Sequence, residues 1–227
     1  MHSAVESLIP RRLFLTGSAA TGLLVLSGCQ TGPRYSLVEV VRRMLLLAAD
    51  NALDKLTAPG GFWDSQVARI ALPDLFGSRG GVLQGVLTSV LFRDRLHREL
   101  NHLAERGAER AAPVVAEVIR TISIQDAVAL IRGGPTASTS YLRSQMGPGL
   151  INAMIPGLAD AIRVSSDPIV GQAIATLTGV DVGGVAQALA IGADNSIWYQ
   201  IGLEEAAIRA NPESTNDPML IAALKVL

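Results

Sequence analysis

The sequence predicts an all-α protein, a single multi-helix globular domain that follows an N-terminal signal peptide. Three observations favour helices. Apolar residues recur every three or four positions, strict apolar–polar alternation is scarce, and glycine and proline fall between the periodic stretches. Of the 227 residues, 49% are apolar and 17% are charged, and the mean hydropathy is +0.35. This composition excludes intrinsic disorder and suits one large domain or two small ones.

The charge and cysteine counts exclude several classes of protein. Nineteen basic residues against 20 acidic ones give a formal net charge of −1, without the basic excess that a nucleic-acid binder needs. The single cysteine cannot form a disulfide within the chain or a multi-cysteine zinc site. We therefore expect no nucleic-acid partner, no metal and no cofactor.

Residues 1–28 have the pattern of a lipoprotein signal peptide. Arg11 and Arg12 precede an uncharged stretch, 13–28, that falls short of the about 20 apolar residues of a spanning helix. The run Arg-Arg-Leu-Phe-Leu resembles a twin-arginine export motif. The run Leu-Ser-Gly-Cys, which ends at Cys29, resembles the lipobox in which the cysteine receives diacylglycerol. We expect lipidation at Cys29; the alternative is a buried hydrophobic hairpin with an inert cysteine.

Acylation of Cys29 would attach the mature protein to a membrane. Each buried methylene contributes about 0.8 kcal/mol, so several acyl chains give lasting attachment. Gln30 follows the cysteine. By resemblance to lipoprotein sorting rules, a residue other than aspartate there favours the outer membrane of a diderm bacterium. The expected location is the periplasmic face of that membrane, reached by the Sec or the twin-arginine route, with residues 29–36 as a short linker.

Residues 37–227 predict a helical domain. The first helix covers 37–56 and ends before Pro59, and the aperiodic stretch 61–73 predicts a buried loop with at most one extended segment. Residues 82–109 then predict one or two helices. The later predictions are a short helix beginning at Pro113, a helix capped by Ser123 and ending before Gly133, and helices at 136–145, 148–163, 168–178, 183–193, 195–210 and 217–226. Pro156 predicts a kink or break inside 148–163.

Several blocks of the domain resemble one family. They are Gly-Phe-Trp at 61–63 with Ile-Ala-Leu-Pro at 70–73, Arg-Gly-Ala-Glu-Arg-Ala-Ala-Pro at 106–113, Ile-Ser-Ile-Gln-Asp-Ala at 122–127, Thr-Ser-Tyr-Leu-Arg at 139–143, and Glu-Glu-Ala-Ala-Ile-Arg-Ala-Asn-Pro at 204–212. In this order they are similar to blocks of the DUF4197 family, although Glu105 stands where that family usually has asparagine. The family consists largely of exported bacterial lipoproteins of undefined function. The resemblance therefore implies an exported helical domain and no particular activity.

Five polar residues are candidates for a ligand-binding or structural cluster: Asp126, Tyr141, Arg143, Glu205 and Arg209. Tyr141 and Arg143 place a phenol and a guanidinium on one predicted helix, and both are donors suited to an anionic group. Alternatively, Arg143 pairs with Asp126 or Glu109 and fixes the packing of helices.

Two further charged pairs lie on predicted helices. Glu205 and Arg209 are four residues apart, the favourable orientation for a helical ion pair. His97 and His102 are five apart and diverge on a helix, without the spacing of a metal site. For the histidines, a solvated helix with ion pairs is the favoured interpretation, and a metal or general-base role is the alternative.

The stretch 169–193 carries a single charge, Asp181. Such a stretch is either packed core or a face that meets lipid or a partner. Because no catalytic motif is present, the leading hypothesis is a lipid-anchored helical protein of the cell envelope, a non-catalytic binding or scaffold module for a partner protein or an apolar ligand. The alternative is an envelope hydrolase that uses carboxylates on helices, Glu105, Glu109 or Asp126.

Overall fold

All regular structure in the described residues is helical. The structure is a computed structural model that describes residues 36–72, 90–165, 168, 171 and 182–226. These residues belong to one compact unit, Ser36–Leu227. No strand occurs in the described part of the chain, which confirms the predicted all-α domain. The predicted signal peptide, Cys29 and residues 29–35 of the predicted linker lie outside the described residues.

Seven α-helices and one 3₁₀ helix make up the described secondary structure. They are α1 (Leu37–Thr57), α2 (Val90–Thr121), α3 (Ala127–Arg132), α4 (Ala137–Met146), α5 (Gly149–Val164), α6 (Val182–Ala210), the 3₁₀ helix Pro212–Thr215, and α7 (Pro218–Val226). Helices α1, α4, α5 and α7 agree with their predicted bounds to within one residue. The helix predicted at 168–178 lies outside the described residues, apart from Pro168 and Gly171.

Two helices continue through a proline at which the sequence predicted a helix start or a break. Helix α2 continues through Pro113 to Thr121, and α5 continues through Pro156, so a new helix at Pro113 and a break at Pro156 were wrong. A proline removes the hydrogen bond to the carbonyl four residues earlier, which lies on the same face of the helix. Both prolines are exposed, as are Glu109 and Asn152, so water can satisfy the freed carbonyls.

Two predicted helix boundaries are also corrected. The helices expected at 183–193 and 195–210 form the single helix α6. The side chain of Asp194 does not cap a second helix, because it accepts hydrogen bonds from Trp198 and Arg143. Ser123 does not cap α3; the N-cap is Asp126, whose carboxylate accepts from the backbone N–H of Ala129 at 2.8 Å.

Four long helices enclose the hydrophobic core. α1 packs against α2 and α6, and α5 packs against the same two helices. With few aromatic residues available, leucine, isoleucine, valine and alanine fill the interior. Each fully buried large apolar side chain contributes about 1.5–3 kcal/mol relative to exposure. The unit Ser36–Leu227 therefore has its own core, the condition for folding by itself.

Residues 58–72, the described residues that follow α1 and are called the α1–α2 loop below, pack down on the core, as predicted for the stretch 61–73, and contain no strand. Phe62 is fully buried and is the largest such side chain in the core. The buried Asn101 side chain pairs with both backbone groups of Ile70, at 2.8 and 3.0 Å. Ser196 of α6 donates to the carbonyl of Ala68 at 2.9 Å. These bonds fix the loop against α2 and α6.

A groove between α4 and α6 as candidate functional site

A groove of about 470 Å³ lies between α4 and α6. The α6 wall is a stripe formed by Asn195, Trp198, Tyr199, Gly202 and Leu203. Their spacing of three, four, seven and eight residues from Asn195 places them on one helix face. Tyr199 is 52% exposed and Leu203 is 41% exposed. The α6 side of the groove is therefore largely apolar, and its Tyr199 and Leu203 are open to solvent.

The α4 side of the groove supplies the polar groups. Thr136, Thr139, Ser140 and Arg143 line it. The Arg143 guanidinium lies at the α6 wall, where Nη2 is 3.1 Å from Asp194 Oδ2 and 2.6 Å from Asn195 Oδ1. Its side chain remains 46% exposed. The groove thus combines an apolar surface with one accessible cation.

The Asp194 carboxylate bonds both this guanidinium and the indole of Trp198. Its Oδ1 accepts from Trp198 Nε1 at 2.8 Å, while Oδ2 faces Arg143. Burial raises the pKa of the Asp194 carboxyl above the usual aspartate value, and the hydrogen bonds from Trp198 and Arg143 oppose that shift only in part. The carboxylate therefore orients the indole and the guanidinium at some cost in stability when it is ionised.

We expect Asp194→Asn to change the pH dependence of stability. The folded carboxyl holds its proton to a higher pH than the unfolded chain does, so stability falls as pH rises through that interval. The amide keeps an acceptor for Trp198 and does not titrate. Relative to the variant, the wild-type protein should lose free energy of unfolding, measured by urea unfolding, as the pH rises above about 4, the usual pKa of an aspartate. Asp160→Asn, at an exposed position on α5, is the matched control. If the difference in free energy of unfolding between the wild type and Asp194→Asn did not vary with pH, the raised pKa of Asp194 would be contradicted.

A buried ion pair holds the start of α4 against α6. The Glu205 carboxylate is completely buried and accepts from the backbone N–H groups of Ser138 and Thr139, at 3.0 and 2.7 Å, and from Thr139 Oγ1 at 2.6 Å. Arg209 donates to Glu205 Oε1 at 2.7 and 2.9 Å. It also donates to the last carbonyls of α3, those of Leu130 and Ile131. The pair therefore joins α3, α4 and α6 and positions Thr139 at the groove.

The other predicted polar residues have separate contacts. Asp126 caps α3, and Tyr141 donates its hydroxyl to the carbonyl of Ser123. The predicted pairing of Arg143 with Asp126 or Glu109 is wrong, because its acidic partner is Asp194. Within the described residues, the hydrogen bonds of Asp126, Tyr141 and Arg143 go to groups outside the Glu205–Arg209 pair. The five candidates thus divide among several contacts around α3, α4 and α6.

The groove contains residues that the sequence analysis did not select. Asn195, Trp198 and Tyr199 line it, and the buried Asp194 bonds two of the lining residues, Arg143 and Trp198. All four lie on α6, which was predicted as two helices on either side of Asp194. The signal that could have found them is the polar–aromatic spacing of four, in Asp194 to Trp198 and in Asn195 to Tyr199. The predicted apolar stretch 169–193 is described at Gly171 and from 182 onward, and it contributes Val185, Leu189 and Ala193 to the core.

The carboxylates named for a hydrolase have different surroundings. Glu105 is buried and accepts from the backbone N–H of Gly60 at 3.0 Å, with His102 Nδ1 at 3.2 Å. Glu109 is exposed, and Asp126 is engaged in its cap. His102 also lines a second pocket, of about 420 Å³, together with Glu99 and Arg106. Glu105 thus secures the α1–α2 loop, and the hydrolase alternative stays a prediction.

The described part of the chain lacks two features, a metal cluster and a membrane-spanning helix. There, no group of three or more histidine, cysteine, aspartate or glutamate side chains is placed to hold a metal ion. No helix in that part of the chain combines the length and the hydropathy needed to cross a membrane.

A family model described as "Protein of unknown function (DUF4197)" matches residues 33–224. Comparisons with curated proteins and with solved structures give no significant match. The family match covers the whole helical domain except its last residues, and it confirms the resemblance carried by the blocks between Gly61 and Pro212. The chain belongs to the DUF4197 family.

Proposed function

We propose that this protein is a lipid-anchored, non-catalytic binding module of the cell envelope. Its ligand is an amphiphile held in the groove between α4 and α6. The observation that carries the proposal is the groove itself, an apolar wall of Trp198, Tyr199 and Leu203 facing one accessible guanidinium, that of Arg143. Binding sites for small ligands typically join apolar walls with a few polar groups that fix orientation.

The groove's chemistry indicates how such a ligand would lie. An apolar chain would cover Tyr199 and Leu203, whose exposed surface would then be removed from water. An anionic head would replace part of the contact between Arg143 and Asn195, at the rim. Because Asp194 stays behind the guanidinium, the head has to displace only the amide acceptor.

The anchor and the location rest on the sequence. Arg11 and Arg12 before the short apolar stretch support export, and Cys29 at the end of Leu-Ser-Gly-Cys supports acylation. Gln30 supports delivery to the periplasmic face of an outer membrane. A groove for an amphiphile suits a protein held at a membrane, where such molecules are concentrated, and a partner protein would be recruited from the same surface.

Blocking the groove tests the proposal. Residues 36–227 are titrated with 11-(dansylamino)undecanoic acid, an apolar chain with a carboxylate head whose emission rises on burial. We expect saturable binding that Ser140→Trp weakens about tenfold or more, because the indole would fill the groove. Ser140 is exposed, so this substitution leaves the core intact.

Two comparisons make the test specific. Gln145→Trp adds the same indole to an exposed position of α4 that does not line the groove, and it should change the affinity by less than about twofold. Arg143→Gln should weaken the carboxylate probe and leave an uncharged analogue of the same length unaffected. Equal affinity of wild type and Ser140→Trp would place the ligand elsewhere and refute the proposal.

A further inference from the structure

A second surface feature lies where the α1–α2 loop meets α2, and it shares no residue with the lining of the groove. We define the Trp63 cluster as Trp63, Arg69, His97 and Arg98. The guanidinium of Arg69 is 4.6 Å from the centroid of the Trp63 ring, and that of Arg98 is 5.0 Å from it. His97 meets the same ring edge-on, with centroids 5.1 Å apart and an interplanar angle of 86°. Two cations therefore share one aromatic side chain.

Both arginines of the Trp63 cluster are exposed. Arg69 uses Nε to donate to the carbonyl of Trp63 at 2.6 Å, which leaves the N–H groups of its two Nη atoms outside that bond. Within the described residues, no carboxylate is found within 4 Å of either guanidinium. The cluster thus concentrates positive charge in a chain whose formal net charge is −1.

The cluster is held rigidly. His97 Nε2 donates to the carbonyl of Ile70 at 2.6 Å, and the buried Asn101 bonds the same residue on both backbone groups. Stacking on an indole fixes a guanidinium plane while its N–H edges stay available to an anion. Little side-chain freedom would then be lost when an anion binds.

The two elements that carry the cations also carry exposed apolar side chains. Val67, in the same loop, is 50% exposed, and Leu91 of α2 is 82% exposed. Leu91 and Arg98 are seven residues apart and hence lie on the same face of α2. Arginine beside exposed aliphatic and indole groups is the composition of protein surfaces that rest at the headgroup level of a bilayer.

We propose that the Trp63 cluster docks on an anionic phospholipid surface. Arg69 and Arg98 bind lipid phosphates, and Trp63 and Val67 enter the headgroup region. Charge complementarity selects this occupant, because guanidinium groups recognise phosphate through paired hydrogen bonds. The surface is independent of the α4–α6 groove, since it is built from the α1–α2 loop and α2.

Vesicle binding tests this proposal with residues 36–227, which lack the acylated cysteine. Vesicles of phosphatidylcholine with about 30% phosphatidylglycerol should bind the protein, and pure phosphatidylcholine vesicles should bind it much less. Arg69→Gln with Arg98→Gln should lower the partition coefficient about 25-fold, from about fivefold per arginine. Arg132→Gln with Arg163→Gln removes the same charge from exposed positions elsewhere and should change it less than twofold.

The tryptophan signal reports which surface makes contact. The chain has two tryptophans, so the Trp198→Phe variant leaves Trp63 as the only indole. Its emission should shift to shorter wavelength with anionic vesicles and remain unchanged with neutral ones. Equal binding of the two double-arginine variants, or no shift, would overturn the proposal. So would loss of vesicle binding in inorganic phosphate at constant ionic strength, which would assign the site to the free anion.

Discussion

Glu205→Ala is expected to lower the free energy of unfolding by about 3–5 kcal/mol, a large share of the about 5–15 kcal/mol typical of a domain. The carboxylate is completely buried and accepts three hydrogen bonds from the start of α4 in addition to those from Arg209. Its removal leaves a buried guanidinium without a counter-charge and two backbone N–H groups without an acceptor. Urea unfolding followed by far-ultraviolet circular dichroism would measure the loss.

Two comparisons separate this effect from a general loss of packing. Asp160→Asn breaks an exposed ion pair on α5 and should cost less than about 1 kcal/mol. Glu205→Leu combined with Arg209→Met removes both charges, and it should cost less than the sum of the single substitutions. If Glu205→Ala proved as mild as Asp160→Asn, the pair would not hold α4 in place.

The Glu205–Arg209 pair also shows how far the sequence predicts the candidate site. The spacing of four residues predicts that the two side chains meet on one helix, and they do so at 2.7 Å. It does not predict that the carboxylate caps α4 or that Arg209 reaches the end of α3, because those contacts join positions about 70 residues apart. Local periodicity specifies which residues share a face, whereas the partner of that face depends on packing.

At several helix boundaries, the local sequence preference predicted an interruption that the structure does not have. Asp194 and Asn195 have the local preference of a helix start, and Pro113 and Pro156 have that of a break. In the structure, Asp194 instead contacts Arg143 and Trp198 on the groove wall, and the prolines lie on exposed faces. Tertiary contacts along α2, α5 and α6 outweigh these local preferences. The fold class was therefore predictable, whereas the continuity of these three helices, including the α6 wall of the groove, was not.

The α1–α2 loop connects these arguments to the second surface. Its Phe62 belongs to the core, while the neighbouring Trp63 carries the cationic cluster at the surface. Two neighbouring residues of this loop thus lie in the core and at the surface. The position of both depends on how closely the loop approaches the end of α1. That approach is set at Gly61.

Gly61→Ala is expected to lower the free energy of unfolding by about 3 kcal/mol, the upper end of the usual range for overpacking. A Cβ at Gly61 would lie 2.3 Å from the carbonyl oxygen of Lys55 and 2.5 Å from that of Leu56. These are backbone atoms in the last turn of α1, so no side-chain rotation relieves the clash. The loop would have to move outward, taking Phe62 from the core and breaking the bond from the N–H of Gly61 to the carbonyl of Ala58. Urea unfolding would measure the change.

Gly149→Ala supplies the matched control for Gly61. It adds the same methyl group at the first residue of α5, where no atom lies within 4 Å, and the site is exposed. Alanine there should be neutral or should stabilise the protein by up to about 1 kcal/mol, because it restricts the unfolded chain and favours helix. If both substitutions had the same effect, the close contact between the loop and α1 would be wrong. If only Gly61→Ala destabilises the protein and also reduces vesicle binding, the seating of Phe62 and the presentation of Trp63 depend on the same close contact.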